Sequence, residues 1–205
     1  MSAEETVPRL AQLKRSELYS EQLGIDLATR ADGEYFKWFL ASLLFGSRIS
    51  ETVARQTYQA FEAHRLLTPR RILKAGWDYL VCPVMREGGY VRYDESKSAQ
   101  VMRDCELLMA EYGGSLSKLH ELARDGSDLE KRLLDFYGVG PVTANIFLRE
   151  LRPYWRKADP VPLPAVVDAA RRLRLDLGQF NRKTVTFTRI EAGLIRLRKQ
   201  LGLRS

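Results

Sequence analysis

The chain reads as an all-α protein, and three observations predict this. Apolar residues recur at helical spacing along most of its 205 residues. Helix starts and glycine stops punctuate those stretches. The single alternating stretch, Tyr90-Val91-Arg92-Tyr93, has no partner strand and reads as an extended link. With 45% hydrophobic and 29% charged residues the chain belongs among packed globular proteins. No apolar run approaches the ~20 residues of a membrane span. The opening MSAEETVPRL lacks the basic-then-apolar pattern of a secretory leader, so a cytoplasmic location is expected. Cys82 and Cys105 stand in no metal-ligand spacing and are expected as buried free thiols.

Taken in order, Leu10, Leu13 and Leu18 predict a first helix over about Val7 to Leu23, interrupted by Gly24. Asp32 is expected to cap the next, Glu34 to Phe45, which is apolar nearly all round and so buried. Gly46 to Ser50 breaks the pattern, and Ser50 opens a helix from Glu51 to His64. Thr68-Pro69 starts Pro69 to Ala75, and a short helix follows from Gly76-Trp77-Asp78 to near Pro83. Asp94 or Ser96 caps Lys97 to Tyr112, with Val101, Cys105, Leu108 and Tyr112 on one face. Gly113-Gly114 stops it. Ser117 to Ala123 is short, and Ser127-Asp128-Leu129-Glu130 reads as a capping box. Four prolines between Arg152 and Pro164 predict an irregular loop before a helix over Ala165 to Leu175. Phe187, Ile190, Leu194, Leu197 and Leu201 mark a final amphipathic helix.

The segment Leu133 to Leu151, LLDFYGVGPVTANIFLREL, organises the rest. Two apolar helices flank Gly138-Val139-Gly140, and Pro141 suits the first turn of the second. With no Cβ, both glycines can take positive φ and let another backbone come close. The amides around Gly140, Val142 and Thr143 would then face outward as an anion site at a helix N-terminus.

GVGPVTANIF resembles the helix-hairpin-helix of the endonuclease III-like DNA glycosylases. FKWFLASLLFGSRISETVARQTYQAF and YDESKSAQVMRDCELLMAEYGG are similar to helices of that family in the same order, so the resemblance covers roughly Phe36 to Leu175. It implies a two-lobed fold: a six-helix barrel lobe over 35–147 ending in the hairpin, and a second helical lobe from 1–34 plus 148–205. Double-stranded DNA would lie between them, bound by a monomer. The turn Gly138, Val139, Gly140, with Val142 and Thr143, would grip the backbone, aided by a monovalent cation as the family holds at the hairpin. Ser47 stands where relatives place a polar residue that fills the gap left by a flipped base. Ser is short for that, and Arg48 beside it can substitute. Many relatives carry a four-cysteine iron–sulfur cluster, and with no cysteine after Cys105 this chain lacks it.

The same resemblance places the family's lysine at Val142, which cannot form an imine, and its aspartate at Leu163. Asp159 is the nearest carboxylate and the first catalytic candidate, with Asp168 on the next helix behind it. The plainer readings are a solvated loop acid for Asp159 and a helix acid paired with Arg171 or Arg172 for Asp168.

The net charge is +7, and residues 149–205 hold 14 Lys/Arg against 5 Asp/Glu, a net of +9. Arg149, Arg152, Arg156, Lys157, Arg171, Arg172, Arg174, Arg189, Arg196 and Lys199 are expected to form a basic surface beside the hairpin. His64 and His120 read as surface residues, and Trp155 as a loop aromatic able to stack on a base. The function expected is a monofunctional DNA N-glycosylase of base-excision repair. The alternative is a non-catalytic module of the same fold that recognises damaged or bent DNA. A basic helical protein that binds RNA or a protein partner is the third reading.

Overall fold

The computed structural model describes residues 3–200, with side chains from 9 to 197. Leu201 and the side chain of Lys199 lie outside the described residues. Eleven α-helices and no strand occur among the described residues. They are α1 (Ala3–Lys14), α2 (Asp32–Phe45), α3 (Glu51–Ala63), α4 (Pro69–Ala75), α5 (Trp77–Tyr79), α6 (Asp94–Tyr112), α7 (Leu116–Leu122), α8 (Gly126–Leu134), α9 (Pro141–Leu151), α10 (Pro164–Arg172) and α11 (Val185–Gln200).

Local chemistry sets most of these boundaries. Ser50 accepts from the Val53 amide and opens α3; Thr68 accepts from Arg71 and opens α4, with Pro69 at its first position. Gly113, at φ 64°, closes α6 in the left-handed conformation. The helix from α5 runs on through Leu80–Met85 and is broken at Cys82, at φ −141° and ψ 116°. Cys105 is buried, but Cys82 is exposed.

Several starts and stops depart from the sequence reading. α1 ends at Lys14, not Leu23, because acceptors elsewhere take the amides that a longer helix would need. Glu21 accepts from Leu18, and Glu150 accepts from Tyr19 and Ser20 at 3.0 Å each. Asp32 is no cap: Ala31 holds that place, and Asp32 accepts from the Ser117 amide at 2.8 Å, tying α2 to α7. Neither Asp94 nor Ser96 occupies the cap of α6, where Tyr93 sits at φ 67°. α8 starts earlier than the Ser127 box. Asp125 accepts from the Asp128 amide, and Asp128 in turn accepts from Arg124.

Two apolar clusters form the interior. The larger is built on α2 and α9 with α3, α6, α7 and α8 around them, and it takes in Leu18 to Leu27 of the N-terminal segment. Trp38 is fully buried in it and donates its Nε1–H to the Phe147 carbonyl at 3.0 Å. The smaller joins Leu13 of α1, Val166, Ala169 and Ala170 of α10, and Ile190 and Leu194 of α11.

Arg152 is a buried cation in the α9–α10 connection. It pairs with Glu191 of α11 and donates to the Pro160 carbonyl, and its Nε lies 3.3 Å from Asp159. This cluster pins the proline-rich loop to α11. Removing one partner would leave a buried charge unmatched. Glu191→Ala is expected to lower the unfolding free energy by about 3–5 kcal/mol, and Glu191→Gln by less, as measured by urea denaturation.

Candidate functional site

The hairpin is formed by α8, the turn Asp135 to Gly140, and α9. Its glycines do not work as the sequence suggests. Gly140 sits at φ −96° and ψ 178°, open to any residue, and Gly138 is not among the glycines at positive φ. Gly138 is instead tightly placed against α6. A Cβ there would stand 3.0 Å from Asp104 Oδ2 and 3.3 Å from Gln100 Oε1. A Cβ at Gly140 would meet nothing within 4 Å.

The outward-facing part of the turn is shorter than expected. The Gly138 amide donates to Asp104 Oδ1 and the Val139 amide to the Phe136 carbonyl, so neither is offered to a ligand. The Val139 and Thr143 side chains are buried. Gly140, Pro141 and Val142 are exposed, and no side chain caps the N-terminus of α9. Thr143 packs on the end of α2: a Cβ at Gly46 would lie 2.1 Å from Thr143 Oγ1. This contact sets the Ser47-Arg48 turn beside the hairpin. Ser47 donates to the Leu43 carbonyl at 2.8 Å and is half-buried, whereas Arg48 is exposed.

Next to the hairpin opens a cavity of about 500 Å³. One wall is Phe45, Ile49 and the start of α3. The cavity is also lined by Val142, Ile146 and Arg149 of α9, with Leu163 and Ala165 at the start of α10. Tyr19, Ile195 and Arg196 complete it. Val142 and Leu163, the two positions where the resemblance seats the family's lysine and aspartate, thus line one cavity.

The catalytic candidates lie elsewhere. Asp159 is 2.7 Å from Arg182 and 3.3 Å from Arg152, in the ion cluster of the proline-rich loop, and does not line the cavity. Asp168 pairs with Arg171 at 2.9 Å on the outside of α10. The carboxylate that lines the cavity is Glu51, in the first turn of α3, with Arg55 donating to its Oε1 at 2.8 Å. Sequence reasoning missed it, since a glutamate after an N-cap serine reads as a helix-dipole partner.

The basic surface is also smaller than the charge count suggests. Arg149 and Arg152 are buried. Lys157 donates to the carbonyls of His120 and Glu121, and Lys183 to those of Arg156 and Ala158. Arg189 pairs with Glu21, and Arg196 donates to the Glu17 carbonyl. Trp155 is a core residue, edge-on to Tyr35 and Phe147 and stacked on His120, so it is not offered to a base. His64 bonds Tyr79 and Glu87 at 2.8 Å each. His120 is pulled down to about 4 by burial and the nearby cations.

Beneath the turn, Asp104 and Lys97 are buried two helical turns apart on α6. Burial pushes the Asp104 carboxyl up to about 6, against the amides of Gly138 and Tyr137 and the Lys97 charge. Burial pulls Lys97 down to about 8, with Asp104 opposing. Lys97 Nζ donates to the Leu43 carbonyl at 3.4 Å, so the pair braces both the hairpin and the end of α2.

Compared with known proteins, the chain matches no family model, no curated protein and no solved structure. Its functional reading therefore rests on geometry.

A folded-state value raised above the ordinary 3.8 gives Asp104 a definite sign. Its contribution to stability is full below about pH 4 and is lost as pH rises through about 6. Asp104→Asn is therefore expected to gain on the wild type by roughly 2–3 kcal/mol between about pH 4 and 7. Urea unfolding at each pH measures this; a difference independent of pH would contradict it.

Proposed function

We propose that this chain is a duplex-DNA-binding protein with the two-lobed helix-hairpin-helix glycosylase architecture. In this reading it draws a base out of the stack into the cavity and hydrolyses its N-glycosidic bond. The observation that carries the reading is the convergence at one place of an uncapped, exposed α9 N-terminus, the Ser47-Arg48 turn and a cavity lined by both Val142 and Leu163. The exposed amides offer a phosphate its donors without a side chain. Arg48 is the residue on hand to enter the duplex beside it. The cavity is large enough for a base, and its walls are mostly apolar.

Hydrolysis breaks the bond between the sugar C1′ and the base nitrogen. The bonding pair leaves with the base, water adds its oxygen to C1′, and its proton is released. Glu51 is the acid in position to stabilise the developing positive charge on the sugar and to take up that proton. Val142 has no amine, so an imine and strand cleavage through it are outside this chemistry. The second reading, a DNA-binding module without catalysis, is favoured by the Arg55 bond on Glu51, which orients that carboxylate within its own helix.

Two experiments test this. Gly140 has open space and an unstrained backbone, so Gly140→Ala is expected to leave thermal stability unchanged or raise it by up to about 1 kcal/mol. If a phosphate approaches the turn, the added methyl should weaken duplex binding about five- to tenfold, read by fluorescence anisotropy. Unchanged affinity would remove the hairpin from the interface. A panel of duplexes, each with one damaged base, is expected to show base release by the wild type that falls at least about 100-fold in Glu51→Gln. Tight binding with no release on any duplex would establish the non-catalytic reading.

A further inference from the structure

Arg149 lines the cavity from α9 although only 4% of it is exposed. Arg196 reaches the same cavity from α11. Both guanidinium groups lie over the Tyr19 ring, at 5.3 Å and 4.4 Å from its centroid. Arg196 also donates from Nη1 to the Glu17 carbonyl. Yet Arg149 Nε and Arg196 Nη2 are buried with no hydrogen-bond partner among the described residues. The charge of Arg149 is offset by neighbouring Glu150, but the Glu150 carboxylate accepts from the Tyr19 and Ser20 amides instead. Those two atoms are sealed from the cavity, but the side chains that carry them come from different helices, line one cavity together and bring two cations to the same face of it, where an acceptor from outside the protein can meet them.

We propose that Arg149 and Arg196 read the acceptor edge of a nucleobase held in the cavity, and so select bases that carry a ring carbonyl, such as guanine, over adenine. The inference deepens the proposed function and rests on it for the delivery of the base. Three features set the ligand class. Arginine donors match the adjacent O6 and N7 acceptors of guanine, whereas adenine presents a donor amino group at the corresponding position. Phe45, Ile49 and Ile146 give the cavity flat apolar walls that suit a planar ring. Glu51, which lines the same cavity, disfavours a small free anion, and such an anion would leave the apolar lining unfilled.

The test uses the full chain and two duplexes that differ only in one unpaired base, guanine or adenine. The wild type is expected to bind the guanine duplex about tenfold more tightly. In Arg149→Met and in Arg196→Met the ratio should fall to within about twofold of unity. Arg196 is only half-buried, so its variant decides the matter if Arg149→Met does not fold. No preference in the wild type overturns the inference. So does a ratio that survives in a folded variant while both affinities drop together, because a purely structural arginine would act in that way. If neither duplex binds, saturation-transfer NMR with free guanosine and adenosine separates the two claims. A guanosine signal that Arg196→Met abolishes supports the cavity assignment and overturns the DNA reading; no guanosine signal overturns both.

Discussion

Gly46 and Thr143 meet so closely that no other residue fits at 46: a methyl group there would stand 2.1 Å from Thr143 Oγ1 and 2.9 Å from its Cβ. The end of α2 and the start of α9 can touch only because one of them has no side chain. Further along the same contact, the Trp38 indole donates to the Phe147 carbonyl. Laid against α2 in this way, α9 is buried from Thr143 to Leu151. The rest of the site follows from helical geometry. Pro141 and the exposed turn project past the contact, next to Ser47 and Arg48. Val142, Ile146 and Arg149, at spacings of four and three, fall on one stripe of α9 and become a wall of the cavity.

A helix buried so completely has to neutralise its own polar residues, and three charged ones follow in close succession at its end, Arg149 and Glu150 in α9 and Arg152 just past it. Each is accommodated differently. Glu150 accepts two backbone amides from Tyr19 and Ser20, which holds the N-terminal segment against the helix. Arg152 finds Glu191 and a backbone carbonyl, which ties the proline-rich loop to α11. Arg149 has the Tyr19 ring and the field of Glu150, but its Nε, like that of Arg152, has no hydrogen-bond partner among the described residues. A buried donor without an acceptor costs about 1–3 kcal/mol. Arg149 differs from Arg152 in lining a cavity, which makes it the place to look for a function.

What could be read from the sequence was whatever a few adjacent residues decide. Ser50, Thr68 and Pro164 mark helix starts because a cap or an N1 proline acts within one turn. The apolar stripes of α2, α6 and α11 were equally plain. The failures share the opposite property. The length of α1 is set by Glu150, some 130 residues away in sequence. Gly138 is not at positive φ, and its tight place against Asp104 of α6 comes from a residue 34 positions earlier. The cluster of arginines after the hairpin read as a surface because charge counts carry no burial. Arg149 and Arg152 are interior residues, and Arg189 is a partner of Glu21. Val142 and Leu163 line one cavity, and the carboxylate there belongs to α3, far from both in sequence.

That displacement of the carboxylate bears on how the cavity could work. An acid at the start of α10 would share a wall with α9, on the side of the hairpin. Glu51 lines the same cavity from the start of α3, whereas Arg149 and Arg196 come from α9 and α11. In the proposed reading, base recognition and bond cleavage would therefore fall to different helices. A change on α9 or α11 would alter which base is held, and a change at Glu51 would alter what happens to it. Arg55, one turn along α3, bonds the Glu51 carboxylate without contributing to the lining of the cavity. In that reading the acid, bonded within its own helix, would keep its place whichever base the arginines accept.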